Sequence, residues 1–303
     1  MREVRVKVRL TNAADETLAR LGELESSSVR SLEADALVDT GGVRWWTGAV
    51  TYVCLSMKSN QEWKMWGKVD PLFAVASWKG KEKAGASPWT DAEFYALGQS
   101  DWEDFFAQWK TYGCNTKHCV EIGCGAGRLT KQLAEVFESV TALDVSEDQI
   151  AYAQERIGRR NVTYRVTDGV RFPSGIPPAT AVFSAHVFQH FDGLSDAESV
   201  FHEVSRAMSP GATLMIHMPL YSLPRSPVTP LFRRLIALAK QVGTLKANFD
   251  RKRGKLIMRG LNYETSWLAG CLAQTGLQRV EFRTFRVRSN QEWHGFVLAA
   301  CRT

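Results

Sequence analysis

Residues 120–128 of this 303-residue chain, Val120-Glu121-Ile122-Gly123-Cys124-Gly125-Ala126-Gly127-Arg128, decide the fold. They join an apolar run, residues 118–122, to a segment whose apolar residues recur with the period of a helix. Glycines at such a junction let the backbone turn sharply and approach a ligand beside the positive end of the helix. A dinucleotide fingerprint needs its third glycine at position 128, which Arg128 occupies. The stretch therefore predicts a ligand-binding loop and argues against NAD and FAD.

Downstream of this loop, short apolar runs alternate with helical patterns, which predicts a Rossmann-like, doubly wound α/β sheet covered by helices on both faces. The predicted parallel strands cover residues 118–122, 139–144, 161–167, 180–185 and 212–218. Helices are expected after Gly127, from a capping box of Ser146 and Gln149, from about Ser195 to a stop at Pro210-Gly211, and over residues 263–274. Two alternating runs, residues 278–287 and 292–301, predict a closing antiparallel hairpin.

Acidic residues follow two of the predicted strands. Asp144 closes the second strand, where a carboxylate can accept both hydroxyl protons of a ribose. Asp168 and Gly169 close the third strand, where an acid and a backbone amide can contact the edge of an adenine. Because the carboxyl ends of parallel strands meet at one edge, these residues are expected to line one crevice. Each acid alone could instead cap a helix or a turn.

The domain organisation follows from where this sheet pattern starts and where it is interrupted. Residues 1–56 are interpreted as a leader or fused remnant, and residues 57–112 as a helical N-terminal cap. Residues 113–303 form the main domain, with a basic insertion at 220–262. Eight of the ten tryptophans precede residue 110, so this aromatic-rich region either covers a ligand or fills the core of the cap.

Charge and cysteine content restrict the partners and the location. The net charge is +6, and residues 225–259 hold ten basic residues against one acid. An anionic small-molecule acceptor and a peripheral membrane contact fit that segment equally well, whereas no nucleic-acid recognition motif accompanies it. No apolar run is long enough to span a membrane, and the N-terminal residues alternate charge with valine instead of showing the apolar region of a signal peptide, which predicts a cytoplasmic protein. The six scattered cysteines predict reduced thiols and no metal site.

An ordered set of motifs resembles the class I S-adenosylmethionine-dependent methyltransferases over about residues 63–303. The motifs are residues 121–127, Ala142-Leu143-Asp144-Val145-Ser146, Val166-Thr167-Asp168-Gly169, residues 182–190 and residues 206–211. The resemblance implies a seven-stranded sheet whose last strand is antiparallel, methyl transfer to a small-molecule acceptor, and S-adenosyl-L-methionine as cofactor. It also implies the following cofactor-binding residues: Glu121, Gly123, Gly125, Gly127, Asp144, Val145, Asp168, Gly169, Ser184 and His186.

A second resemblance covers only the start of the chain. Residues 4–41, which end in Leu37-Val38-Asp39-Thr40-Gly41, are similar to the opening of retropepsin-like aspartic proteases. In such a protein Asp39-Thr40-Gly41 would be the catalytic triplet. The tryptophan-rich sequence after Gly42 leaves that pattern, and about 42 residues are too few for the β-barrel that positions two aspartates. We expect no protease activity.

Histidines near the predicted ligand edge are the candidates for proton transfer. His186 and His190 follow the fourth predicted strand, and His217 lies near the end of the fifth. An imidazole can take a proton near neutral pH, and His190 is the preferred candidate, followed by His186. The alternative functions are an NAD(P)-dependent oxidoreductase or epimerase on the same fold, and a non-enzymatic protein that senses a cofactor or binds nucleic acid.

Overall fold

The computed structural model describes residues 31–34, 50–53, 58–222 and 260–302. The chain divides into two compact units, Met1–Met57 and Lys58–Thr303. In the first unit, strands β1 (Ser31–Ala34) and β2 (Val50–Val53) pair in antiparallel fashion. The protease-like triplet at residues 39–41 and most of the basic insertion, residues 223–259, lie outside the described residues.

The second unit begins with three helices, α1 (Ser59–Val69), α2 (Pro71–Val75) and α3 (Asp91–Tyr112). Helix α3 starts at a complete capping box, in which Thr90 accepts from the Glu93 amide while the Glu93 side chain accepts from the Thr90 amide. It ends at Gly113, which takes the left-handed conformation that terminates many helices. The local sequence therefore sets both ends of this helix.

The remaining elements form the sheet, its covering helices and one small strand pair. The strands are β3 (His118–Ile122), β4 (Ser139–Asp144), β5 (Val162–Val166), β6 (Ala179–Ser184), β7 (Met208–His217), β8 (Leu220–Tyr221), β9 (Tyr263–Glu264), β10 (Leu277–Arg286) and β11 (Trp293–Cys301). The helices are α4 (Thr130–Val136), α5 (Glu147–Ile157), α6 (Leu194–Ala207) and α7 (Thr265–Gln274). A short 3₁₀ turn covers Phe188–His190.

Seven strands form one sheet in the order β10-β11-β7-β6-β3-β4-β5. Strands β7, β6, β3, β4 and β5 are parallel, and β11 runs antiparallel to both of its neighbours. The prediction of a Rossmann-like sheet with an antiparallel last strand is confirmed. Because β11 is antiparallel, its first residues lie at the same edge as the carboxyl ends of the parallel strands.

The core lies on both faces of this sheet, as expected for strands covered on two sides. Val182 and Phe183 are adjacent in β6, and they belong to two different buried clusters because successive strand residues point to opposite faces. Helices α6 and α7 cover one face, whereas α3 and α4 contribute to the cluster on the other. On that second face the indole of Trp109 is fully buried and donates to Thr213 Oγ1 at 3.1 Å.

Two element boundaries differ from the sequence predictions. Helix α6 ends at Ala207, before Pro210-Gly211, because Met208 pairs with Ala179 and starts β7 early, with a register shift before Thr213. The last helix starts at residue 265, because Tyr263 instead pairs with Leu220 in the parallel β8·β9 pair. Both changes come from contacts between distant segments.

The predicted capping box of helix α5 forms only by half. Ser146 Oγ accepts from the Gln149 amide at 3.3 Å, as predicted. The Gln149 side chain instead donates to the carbonyl of Pro71 at 3.1 Å, and the Ser146 amide donates to Asp144. Gln149 therefore connects this helix to helix α2. Among the described helices, none is long and apolar enough to cross a membrane.

Candidate functional site

A cavity of about 570 Å³ opens at the carboxyl edge of the parallel strands. Its wall combines the loop after β3, the end of β4, the loop after β6, helices α1 and α2, and the segment that leads into β11. This edge is where ligands bind in open α/β sheets. The volume falls in the range of roughly 300–1,000 Å³ that is usual for small-molecule sites.

The glycine loop forms the floor of the cavity with its backbone. Gly123 and Gly125 have φ of +73° and +52°, a left-handed conformation that favours glycine. A Cβ on Gly123 would lie 2.2 Å from Val187, and one on Gly125 would lie 2.5 Å from Val75. The Gly123 amide donates to the Leu143 carbonyl at 2.7 Å, which holds the loop against the end of β4. The loop thus presents bare backbone to the cavity.

Asp144 lies at the end of β4 and lines the cavity, as does Val145. Its Oδ2 accepts from the Gly125 amide at 2.8 Å, and its Oδ1 accepts from the Ser146 amide at 2.9 Å. Burial raises the pKa of this carboxyl, and the amide hydrogen bonds act against that rise. Each carboxylate oxygen has about two acceptor positions, so each can still accept a hydroxyl proton.

Glu121 is almost fully buried, at 3% exposure, and also lines the cavity. Burial raises its pKa to about 7, and the nearby Asp144 carboxylate contributes to the rise. Thr130 Oγ1 donates to Glu121 Oε2 at 2.6 Å, which favours the ionised form but does not offset the burial. The carboxyl therefore keeps its proton to a higher pH than an exposed glutamate does.

The turn after β5 contributes backbone to the cavity through Gly169, while the Asp168 side chain is used locally. Asp168 Oδ1 accepts from the amides of Val170 and Arg171, at 2.9 and 2.7 Å, and thereby closes the turn. The Asp168 carbonyl accepts from the side chain of Asn60 on helix α1. Gly169 lines the cavity and has a φ of +86°.

Three predicted cofactor residues do not line the described cavity: Gly127, Asp168 and Ser184. Gly127 supports the turn, because a Cβ there would lie 2.3 Å from Ile157. Ser184 Oγ donates to the Ile122 carbonyl at 2.9 Å and connects β6 to β3. The hydrogen bonds and packing of these three residues thus stabilise the fold. The other predicted cofactor residues line the cavity: Glu121, Gly123, Gly125, Asp144, Val145, Gly169 and His186.

His190 lies on the cavity wall beside helix α1. Its ring packs on the Trp63 indole, with ring centroids 4.6 Å apart. Gln189 Nε2 and His190 Nε2 lie 3.0 Å apart in a hydrogen bond. Trp63 and Trp78 both line the cavity, whereas Trp102 and Trp109 are core residues. The aromatic-rich region therefore contributes side chains both to the cavity wall and to the core.

Three histidines meet beside the cavity, and two of them, His186 and His294, line it. His186, His217 and His294 lie on or next to β6, β7 and β11, and their ligand atoms are all within 4.8 Å of one another. Burial lowers the pKa of His186 well below its usual range and that of His217 to about 3, and it also lowers the pKa of His294. All three imidazoles are therefore neutral at pH 7. His186 has a φ of +62°, a strained value that costs about 1–3 kcal/mol in a non-glycine residue.

A buried ion pair joins Arg128 to Asp101 of helix α3 beside these histidines. The two side chains are only 5% and 8% exposed, and Asp101 Oδ1 also accepts from Ser289 Oγ at 2.5 Å. The sequence marked Arg128 only as the residue that breaks a dinucleotide fingerprint, and it gave no indication of Asp101 or His294. Their grouping arises from segments that are far apart in the chain.

Comparison with known proteins agrees with this geometry. Residues 120–216 match the protein family described as a methyltransferase domain. The O-methyltransferase cnsE of Penicillium expansum is 25% identical over 105 residues, which are 33% of this chain and 37% of that protein. The demethylmenaquinone methyltransferase of Tropheryma whipplei is 24% identical over 192 residues, 58% of this chain and 75% of that protein.

One solved structure extends the likeness over most of the chain. It is magnesium protoporphyrin IX methyltransferase from Synechocystis with bound S-adenosylmethionine, which covers 82% of this chain and 99% of its own. Its TM-score is 0.50 at 14% identity, so this likeness concerns the fold. The matched domain and the methyltransferase relatives favour methyl transfer over the oxidoreductase alternative. The chain is therefore a methyltransferase with a Rossmann-like fold, and residues 120–216 belong to its methyltransferase domain.

Proposed function

We propose that this enzyme methylates a small molecule that lies between the Trp63–His190 pair and the glycine loop. One observation carries the proposal: a single cavity of about 570 Å³ is lined both by the loop residues and by these two aromatic side chains. A cofactor on the loop and an acceptor beside the aromatic rings would share that space. The named acceptors of the relatives, demethylmenaquinone and magnesium protoporphyrin IX, belong to those proteins and agree with a small-molecule class.

The cofactor end of the cavity has the groups that S-adenosylmethionine requires. The spare acceptor positions of the Asp144 carboxylate suit the two ribose hydroxyls. The bare backbone at Gly123 and Gly125 suits the methionine part, and the turn at Gly169 suits the adenine. The Asp168 carboxylate supports this last contact by fixing the turn.

The protein residues then have to align the acceptor and remove its proton. Bound S-adenosylmethionine supplies a methyl group that its sulfonium makes electrophilic. Alignment in a closed cavity can lower the barrier by about 7–11 kcal/mol. For an acceptor that must lose a proton, His190 is the base we favour, because its ring lines the cavity beside Trp63. His186 is the weaker base, since burial lowers its pKa.

The domain assignment forms part of the same proposal. Residues 57–112 act as a cap over the cavity, supported by Ser59, Asn60 and Trp63, which line it. Residues 1–56 are a leader or fused remnant that is dispensable for cofactor binding, and residues 113–303 are the catalytic domain of a cytoplasmic protein. The basic residues at 225–259 support an anionic acceptor on grounds of charge alone.

Calorimetry of the purified full chain tests the cofactor end. S-adenosylmethionine and S-adenosylhomocysteine should each bind at one site. Asp144→Ala should lower the affinity for both ligands by more than about tenfold, since hydrogen bonds to a charged group contribute roughly 1.5–3 kcal/mol. Asp148→Asn, an exposed acid in the first turn of helix α5, is the matched control and should bind normally. Binding of NADH without binding of S-adenosylmethionine would refute the assignment.

Transfer of a labelled methyl group tests the acceptor end. The enzyme is incubated with methyl-labelled S-adenosylmethionine and a cell extract that has been separated by ultrafiltration into low-mass and macromolecular fractions. Label is expected in the low-mass fraction, and His190→Gln should reduce its transfer by about 10²–10⁴-fold with unchanged cofactor affinity. Label confined to protein, nucleic acid or lipid would exclude the small-molecule proposal.

A further inference from the structure

The three histidines beside the cavity form a compact group. Ring centroids of His186 and His217 are 4.2 Å apart, and the His294 ring lies 5.1 and 5.2 Å from those two. The sheet order places them side by side, because β6, β7 and β11 are neighbours and β11 is antiparallel. Within the described part of the chain, no other group of histidine, cysteine or acidic residues is placed to hold a metal ion.

The ring nitrogens of this group are available as ligands. His217 and His294 are each only 7% exposed, and His217 Nδ1 and both ring nitrogens of His294 have no hydrogen-bond partner among the described residues. Buried polar atoms are normally paired, so several unpaired nitrogens in one place require an explanation. The nearby Arg128 is paired with Asp101 through its Nη1, and its Nε also has no hydrogen-bond partner among the described residues.

We propose that His186, His217 and His294 bind a divalent transition-metal ion of the zinc type. Imidazole nitrogens suit Zn²⁺, and catalytic zinc sites typically have three protein ligands with one position open. Ligand atoms within 4.8 Å of one another need only small ring movements to converge on one ion, for which the Zn–N distance is about 2.0–2.1 Å.

The open position of such an ion would face the acceptor. His186 and His294 line the cavity, while His217 lies behind them, so the exposed side of the ion points to the cavity. We assign this position to an oxygen of the acceptor, and this assignment rests on the proposed function. Coordination lowers the pKa of a hydroxyl. The O–H bond then breaks with its proton passing to His190 or solvent, an O–CH₃ bond forms, the S–CH₃ bond breaks, and S-adenosylhomocysteine leaves. The strained backbone of His186 is consistent with a side chain held for ligation.

Cobalt titration of the untagged, chelator-treated full chain tests the site without any need for turnover. We expect one equivalent of Co²⁺ to bind with the visible absorption of a low-coordinate nitrogen site, and one equivalent of Zn²⁺ to displace it. His217→Gln and His294→Gln should each weaken binding by about 100-fold or more, beyond the 10–100-fold typical of outer-shell changes. His202→Gln, an exposed histidine on helix α6, is the matched control and should bind as the parent does.

Three results would overturn the metal site. They are the absence of stoichiometric Co²⁺ binding by the parent protein, an intense thiolate-to-cobalt band that reveals cysteine ligands, and undiminished binding in both histidine variants. Thermal melts show whether each variant is folded. If a variant folds poorly, the titration of the parent protein still tests the site. Calorimetry with S-adenosylhomocysteine is run on the same samples. Normal binding of S-adenosylhomocysteine without metal binding refutes the metal site alone, whereas failure to bind S-adenosylhomocysteine refutes the proposed function.

Discussion

Replacing Glu121 with glutamine should change how the stability of the protein depends on pH. The side chain is 3% exposed, and its pKa rises from 4.5 in the unfolded chain to about 7 in the fold, mainly because of burial. A difference of about 2.5 between these pKa values corresponds to ~3 kcal/mol, at about 1.36 kcal/mol per pKa unit. Glutamine keeps the shape and can still accept from Thr130, but it cannot ionise.

The sign follows from which state binds more protons. Between pH 4.5 and about 7 the folded protein holds the Glu121 proton more tightly than the unfolded chain does. The stabilisation from the protonated carboxyl is therefore complete below pH 4.5 and is lost as the pH rises to about 7. The variant lacks this loss, so its free energy of unfolding relative to the parent should increase by ~3 kcal/mol across that window and then stay constant.

Urea unfolding of the ligand-free parent and Glu121→Gln, measured at intervals from about pH 4.5 to 8, provides the comparison. Glu138→Gln, which removes an exposed carboxylate on the same domain, is the matched control and should track the parent. Titration with S-adenosylmethionine gives a second readout, because the ionised carboxylate attracts the positively charged cofactor. Its affinity should rise with pH through about 7 in the parent only. A stability difference that is independent of pH would show that the burial of Glu121 does not control its ionisation.

Three further perturbations address other parts of the molecule. Asp101→Asn should lower the free energy of urea unfolding by about 3–5 kcal/mol, because it leaves the Arg128 charge buried and unpaired; a loss under about 1 kcal/mol would contradict this account. Gly125→Ala should destabilise the fold by about 1–3 kcal/mol and weaken cofactor binding. The control Gly270→Ala, on the exposed face of helix α7, should stabilise the fold by about 0.5–1 kcal/mol. Equal shifts in the melting temperature of the two variants would refute the requirement for glycine at position 125. A chain starting at Met57 should keep its thermal melt and its S-adenosylmethionine affinity, and an insoluble product would show that the leader belongs to the catalytic unit.

Local patterns were sufficient for the parallel core of the sheet. Strand β3 has five consecutive buried residues, which is the signature of a strand covered on both faces, and the glycine loop follows it directly. Strand β4 likewise ends at an acid that lines the cavity. These features depend on neighbouring residues, so periodicity and turn chemistry are enough to predict them.

The errors occur where a distant segment competes with the local pattern. Tyr263 fits the apolar period of helix α7, but its hydroxyl donates to the Phe188 carbonyl at 2.6 Å and its backbone pairs with β8. Gln149 occupies a capping-box position, yet Pro71 accepts its side-chain amide. In each case a hydrogen bond across more than 70 residues replaces the local one, and a single sequence shows no sign of that partner.

The same distinction explains why the sequence indicates the reaction more clearly than the acceptor. The glycine loop and Asp144 lie within residues 120–216, the range that matches the methyltransferase domain. Two other residues of the cavity wall, Trp63 and His294, lie before and after that range. They reach the site because helix α1 lies against the cavity and β11 runs antiparallel, and neither fact leaves a local motif. A change of acceptor can therefore occur through these flanking segments while the cofactor motifs stay intact, which makes Trp63 and His294 the positions at which to look for specificity.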